Sequence, residues 1–150
     1  MQRYDYLKTI GGAAKDALTV CTGWGAREWW AVHPGEGNLK TRTLGLVSAI
    51  AAGWAIALPN RKVIAIDGDG AFLMNLCGLP TIALQNPGNL IHLLFDNEIY
   101  EASGGTATAS RHSDAVVIAR GAGYKHARWL TTPEEFHAEF VRDDVRERRL

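Results

Sequence analysis

The chain has 150 residues, a formal net charge of zero at pH 7, 47% hydrophobic and 21% charged residues. That length fits one domain with a buried core, and the balanced charge gives no electrostatic ground for binding nucleic acid or an anionic membrane. No apolar run approaches the roughly 20 residues of a membrane span, the opening MQRYDYLKTIGG lacks the apolar centre of a secretory signal, and Cys21 and Cys77 form neither a disulfide framework nor a CxxC knuckle, so a reducing cytoplasm is the expected setting.

Residues 17–21 (ALTVC) read as a short buried strand ending at Thr22-Gly23. A helix is expected from Ala26 to Val32, inside a cluster of Trp24, Trp29 and Trp30 that reads as core or interface packing. Residues 33–42 are polar and contain glycine, so they read as a loop. Residues 44–57 are apolar and rich in small side chains, a buried helix ended by Pro59-Asn60. Residues 62–66 (KVIAI) form a strand, Gly68-Asp69-Gly70 a turn, and 71–85 a helix closed by Asn86-Pro87-Gly88. Residues 90–95 (LIHLLF) form a second buried strand, in which His92 reads as a hydrogen-bonded core residue. Residues 98–112 are mostly loop. Ser113 or Asp114 caps a helix to about Arg120. Residues 124–130 read as a strand, and Thr132 caps a last helix through about Val141. The tail, about residues 141–150, is highly charged and has no strand pattern. An α/β domain usually follows its last helix with another strand, so the sheet is one strand short or the chain is cut or altered there.

Strands alternating with helices predict a single α/β domain, a three-layer sandwich around a mostly parallel sheet. Ligands of such sheets bind beyond the carboxyl ends of the strands. Three loops follow strands and carry unusual residues: 22–25, 68–71 and 96–105. All three are expected along one edge.

Gly68-Asp69-Gly70 allows a tight turn and close backbone approach. The helix that follows presents N–H groups suited to a phosphate. An aspartate between the glycines repels a bare diphosphate, and a divalent cation bridging carboxylate and phosphate oxygens resolves the conflict. Magnesium is usually held this way. The competing reading is a plain strand-to-helix turn. Asp96-Asn97 follows the next strand, with 25 residues between Gly70 and Asp96. One helix and one returning strand fit that gap, so the two turns are expected side by side. The Asn97 carbonyl is a hard ligand for magnesium; the competing reading is an Asx turn.

Gly-Asp-Gly, about 25 residues and a pair ending in Asn resembles the signature of thiamine diphosphate enzymes. The stretch is GDGAFLMNLCGLPTIALQNPGNLIHLLFDN. The similarity runs over roughly residues 17–140 and is strongest to the decarboxylases of phosphonopyruvate and sulfopyruvate. It is carried by CTGWGARE, by LGLVSAIAAGWAIALPNRKVIAIDGDGAFLMNL and by FDNEIYEASGG. The resemblance implies magnesium held by Asp69, Asn97, the carbonyl of Ile99, two diphosphate oxygens and a water. It places Thr22, Gly23, Gly68, Gly70, Ala71 and Tyr100 around the cofactor, although Tyr100 also fits a residue that simply covers the sheet edge. It sets Leu44 beneath the bent cofactor and gives the Arg42 carbonyl to the pyrimidine amino group; ordinary core is the alternative for Leu44. Two departures stand out. A glycine of the family's Gly-Ser-Met-Gly-like stretch is Arg42, and the usual Gln-Pro-Thr after Gly105 is Thr106-Ala107-Thr108.

The resemblance implies loss of carbon dioxide from a small 2-oxo acid to give an aldehyde. The family's activating glutamate lies in a pyrimidine-binding domain about as large as this whole chain. One domain's length leaves no room for it, so a separate pyrimidine-domain subunit is expected, in a hetero-oligomer inactive without it. Glu101 is a candidate for touching substrate or cofactor, with a solvated carboxylate as its rival. His112 is a candidate acid or anion contact, with a surface histidine as its rival. Arg27 suits a sulfonate, phosphonate or carboxylate, or a local ion pair with Glu28 or another nearby acid. Competing functions are the cofactor subunit of an acetolactate synthase-like carboligase or 2-oxo acid oxidoreductase, and a truncated non-catalytic paralogue.

Overall fold

The computed structural model describes residues 2–146, and side chains as far as Val141. The elements run α1 (Arg3–Ile10), β1 (Leu18–Cys21), α2 (Gly23–Val32), β2 (Asn38–Lys40), α3 (Val47–Ala57), β3 (Val63–Gly68), α4 (Asp69–Leu73) and α5 (Leu79–Gln85). They continue with β4 (Leu90–Phe95), β5 (Ile99–Tyr100), β6 (Thr106–Ala107), α6 (Ala115–Gly121) and α7 (Pro133–Arg146). A parallel sheet has the order β2-β1-β3-β4, and β5 and β6 form a small antiparallel hairpin.

The three layers follow from strand alternation, because successive side chains leave opposite faces. Ile64 and Ile66 of β3 enter one core with Leu7, Ile10, Trp29, Phe136 and Phe140, from α1, α2 and α7. Val63 and Ala65 point the other way, against Val47, Ala51 and Ala55 of α3. A smaller cluster joins Phe72, Leu79 and Ala115, with Leu94 packed against it. The core strand therefore reads as a continuous apolar run, as a parallel strand covered on both faces should.

Several boundaries differ from the expectation, each for a local reason. α1 was not expected at all; its Leu7 and Ile10, three residues apart, are fully buried. β2 lies inside the expected loop and pairs with β1 from Thr19↔Asn38 to Cys21↔Lys40. α3 begins at Val47 because Gly45 sits at φ +83, outside helical space. The expected helix over 71–85 is broken. Asn75 leaves the helical region at φ −149 and ψ 68, a 3₁₀ turn covers Leu76–Gly78, and α5 starts afresh with Pro80 in its first turn. Pro80 has no N–H for an interior helical bond, so it suits a first turn. Asn86 closes α5 in the left-handed region.

Residues 124–130 are not a strand. Their neighbourhood gives its polar backbone groups to side chains: Arg120 donates to the Ala127 carbonyl at 2.8 and 3.1 Å, and Tyr6 donates to the Thr131 carbonyl at 3.0 Å. Among the described residues β4 is thus the sheet edge, and a groove of about 2050 Å³ runs between it and residues 124–130. The last helix continues past the expected end at Val141 to Arg146, so much of the charged tail is helical. The rest of that tail, residues 147–150, lies outside the described residues.

Candidate functional site

The parallel register aligns the carboxyl ends of the strands: Cys21 with Lys40 and Ile66, and Gly68 with Phe95. The turns after β1, β2, β3 and β4 therefore share one edge. The first two are stitched together. Thr22 is buried and its hydroxyl donates to the Thr41 carbonyl at 3.2 Å, while the Thr41 N–H donates to the Cys21 carbonyl at 3.0 Å. Gly23 opens α2 at φ +59, a conformation that favours glycine.

Asp69 is the first residue of α4 and is buried. The Thr108 hydroxyl donates to its Oδ2, and the Ser110 hydroxyl approaches the same oxygen at 3.1 Å. Ser110 also lies 2.9 Å from Asp96 Oδ1, so one side chain ties the turn after β3 to the turn after β4. A hydroxyl has one proton to donate. Ser110 therefore serves one of the two carboxylates at a time. Among the described residues no lysine or arginine forms an ion pair with Asp69 or Asp96. Two acidic groups thus converge with fewer donors than they can use, which suits a cation.

Asp96 and Asn97 each build an Asx turn: Oδ1 of Asp96 accepts from the Glu98 N–H at 3.1 Å, and Oδ1 of Asn97 from the Ile99 N–H at 3.2 Å. Asp96, Asn97, Glu98, Ser110, Ser113, Asp114 and Trp129 line a cleft of about 480 Å³. Beyond it the β5–β6 hairpin folds back toward α4, and the Tyr100 ring lies over Gly70. A Cβ on Gly70 would sit 2.6 Å from Tyr100 Cδ1 and 3.2 Å from Thr108 Cγ2, so only glycine fits there without displacement.

Residues 42–46 form a loop beyond β2. Arg42 is exposed, and Leu44 is 38% exposed, which argues against ordinary core for that side chain. Glu101 is not a lone solvated carboxylate: Arg3 reaches it at 3.0 Å and also pairs with Glu28 at 2.7 Å. Arg27 therefore does not pair with Glu28; its guanidinium lies over the Trp24 ring, 4.7 Å from the centroid. His112 is exposed at the end of a 3₁₀ turn, Ala109–His112. His92 is not hydrogen-bonded through Nε2, which lies 3.7 Å from Asp67 Oδ2 with no partner among the described residues.

Thr108, Ser110 and Arg3 escaped the sequence reading. Thr108 had a signal: it keeps the final position of the altered Gln-Pro-Thr triplet. Ser110 and Arg3 act across 41 and 98 residues of chain respectively, and no local pattern marks such contacts. The donor set fits magnesium shared with a diphosphate. It consists of one buried carboxylate, a second carboxylate linked to it, an Asn oxygen and backbone carbonyls, all hard oxygens. No group of three or more His, Cys, Asp or Glu side chains able to hold a metal occurs among the described residues. A cation here would accordingly draw further ligands from elsewhere, as magnesium does from phosphates.

The fold is a parallel α/β domain whose edge of turns is suited to an anionic ligand held with a cation, and comparison with known sequences supplies the family. The profile described as thiamine pyrophosphate enzyme, C-terminal TPP binding domain, matches residues 18–143, and the chain belongs to that family. It is 34% identical over 131 residues to the sulfopyruvate decarboxylase subunit beta of Methanothermobacter thermautotrophicus, spanning 86% of this chain and 70% of that one. It is 32% identical over 123 residues to the phosphonopyruvate decarboxylase of Streptomyces viridochromogenes, spanning 81% of this chain but 31% of that one. The crystal structure of benzoylformate decarboxylase from Polynucleobacter necessarius superposes with a TM-score of 0.73 at 16% identity. It covers 98% of this chain and 31% of its own, a likeness of fold.

Proposed function

We propose that this chain is the diphosphate-binding subunit of a thiamine diphosphate- and magnesium-dependent decarboxylase acting on a small 2-oxo acid of the sulfopyruvate or phosphonopyruvate type. The observation that carries the proposal is the buried Asp69 at the mouth of β3, joined through Ser110 to the turn that holds Asn97. The family membership supports thiamine diphosphate as the cofactor, and the hard oxygens beside Asp69 would suit magnesium as the metal held with it. Asp69, Asn97 and the Ile99 carbonyl are the assigned metal ligands. Thr22, Gly23, Gly68, Gly70, Ala71 and Tyr100 are assigned to the surroundings of the diphosphate. Arg42, through its carbonyl, and Leu44 are assigned to the ring end.

When bound, the cofactor supplies the electron sink for decarboxylation. The chain's own residues hold and orient it. Thr108 and Ser110 fix the Asp69 carboxylate before any metal arrives, and Tyr100 packs against Gly70, which brings the hairpin close to the anchor. The Arg3–Glu101 ion pair braces the loop beyond Tyr100 against α1. Glu101 and His112 are assigned to the substrate side of the site.

A cognate pyrimidine-domain subunit supplies the other half of the active site. The division into subunits in the sulfopyruvate decarboxylase relatives supports this. The test is reconstitution. The full chain alone should release no carbon dioxide from sulfopyruvate or phosphonopyruvate with cofactor and magnesium present, and adding the cognate subunit should start turnover. Robust decarboxylation by the single chain contradicts the need for a partner.

A further inference from the structure

We infer that Asn75 is a positioning residue that sets the distance between the two ends of the bound cofactor. The inference rests on the proposed roles of Asp69, Arg42 and Leu44. Asn75 stands where α4 stops, two residues beyond Leu73, and it is the residue that breaks the expected long helix. Its backbone leaves helical space, and its side chain donates through Nδ2 to the Gly45 carbonyl at 2.8 Å. The Cys77 thiol donates to its Oδ1 at 2.9 Å, which fixes the orientation of the amide.

Gly45 is buried against this turn. Its φ of +83 favours glycine, and a Cβ there would sit 2.9 Å from the Asn75 Cβ and 3.4 Å from the Met74 Cβ. The loop of residues 42–46 therefore rests directly on the end of the short helix that Asp69 begins. One side of the contact carries the metal and diphosphate anchor. The other carries Leu44 and the Arg42 carbonyl, the ring-end groups. Thr108 and Ser110 hold Asp69 independently of Asn75. Losing the amide should thus release the ring-end loop and leave the diphosphate anchor in place.

That separation gives a test that needs no turnover. Thiamine diphosphate and inorganic pyrophosphate are titrated calorimetrically, at saturating magnesium, into the full chain and its Asn75→Ala variant. The Gly45 carbonyl loses its donor, so affinity for thiamine diphosphate should fall about tenfold while pyrophosphate affinity changes less than about twofold. Asn75→Asp keeps the size and removes the donor, so it should show the same split even if the alanine variant fails to fold. Equal losses for both ligands, or no loss for either, overturn the inference while leaving the proposed function standing. Wild-type protein that binds neither ligand overturns the proposed function and this inference together.

Discussion

Asp69 draws its environment from residues that lie far from it in sequence. A carboxylate buried with a hydroxyl donor on Oδ2 is held in one orientation, and removing that donor leaves a buried acceptor short of a partner. Thr108→Val should therefore lower stability by about 1–3 kcal/mol. Chemical denaturation checks it, and Thr108→Ser, which restores a hydroxyl, should recover most of the loss. Equal stability of the valine variant and the wild type would mean that the Thr108 contact does not hold Asp69. The cysteines give a second residue-scale outcome. Cys21 is buried in the core, and that burial pushes its thiol pKa far up; only the exposed Cys77 should react with a thiol reagent in the native state. Labelling should stop at one thiol per chain until denaturant is added, and Cys77→Ser should abolish the native reaction.

At the scale of elements, Trp29 joins α2 to the sheet. It is fully buried, and its Nε1–H donates to Asn38 Oδ1 on β2 at 3.0 Å. Trp29→Ala should cost about 3–5 kcal/mol, read from equilibrium unfolding. α6 offers a pH-dependent outcome. Asp114 caps it, and the Val117 N–H, with Trp129 and the Val116 N–H, holds the Asp114 carboxyl below its ordinary pKa. A depressed folded-state value means the capping contribution is full above the unfolded pKa and is lost as pH falls through the folded one. Asp114→Ala should melt earlier than wild type at neutral pH, and the gap should close as pH drops through the carboxylate range. A gap independent of pH would assign the effect to something other than the charged cap.

These elements also show what was legible in the sequence and what was not. β3 was clear because a parallel strand buried on both faces is an uninterrupted apolar run; β4 shows the same apolar run but, at the sheet edge, is only half-buried rather than the buried strand expected. The cap of α6 was narrowed to Ser113 or Asp114, of which the structure uses Asp114, and the Thr132 cap was read directly, because capping is local. β2 was hidden, since three residues pair with β1 on the strength of neighbours rather than their own pattern. The helix break at Asn75 was hidden by apolar periodicity running through it, although Gly78 and Pro80 were there to be read. Residues 124–130 were read as a strand, yet Arg120 takes the Ala127 carbonyl and no ladder forms there. At the site, Gly68 to Gly70 and Asp96-Asn97 were marked as turns by local pattern and as a candidate site by the family resemblance. Thr108, Ser110 and Arg3 were not, because hydroxyls and ion pairs that close a site across the fold leave no local trace.

For the whole molecule, the proposed function makes the assembled edge of turns half of an active site. Leu44 and Leu46 of the proposed ring-end loop, and Met74 beside Gly45, are exposed and leave apolar surface there. A partner subunit that covers the cofactor rings would account for it. The proposed anchor residues all lie in this chain and are open to direct measurement. Isothermal titration of thiamine diphosphate into the full chain, with magnesium and then with the metal chelated, should show binding only when magnesium is present. Asp69→Ala should abolish that binding without unfolding the chain. Binding that survives chelation, or survives the loss of Asp69, would contradict the magnesium–diphosphate anchor.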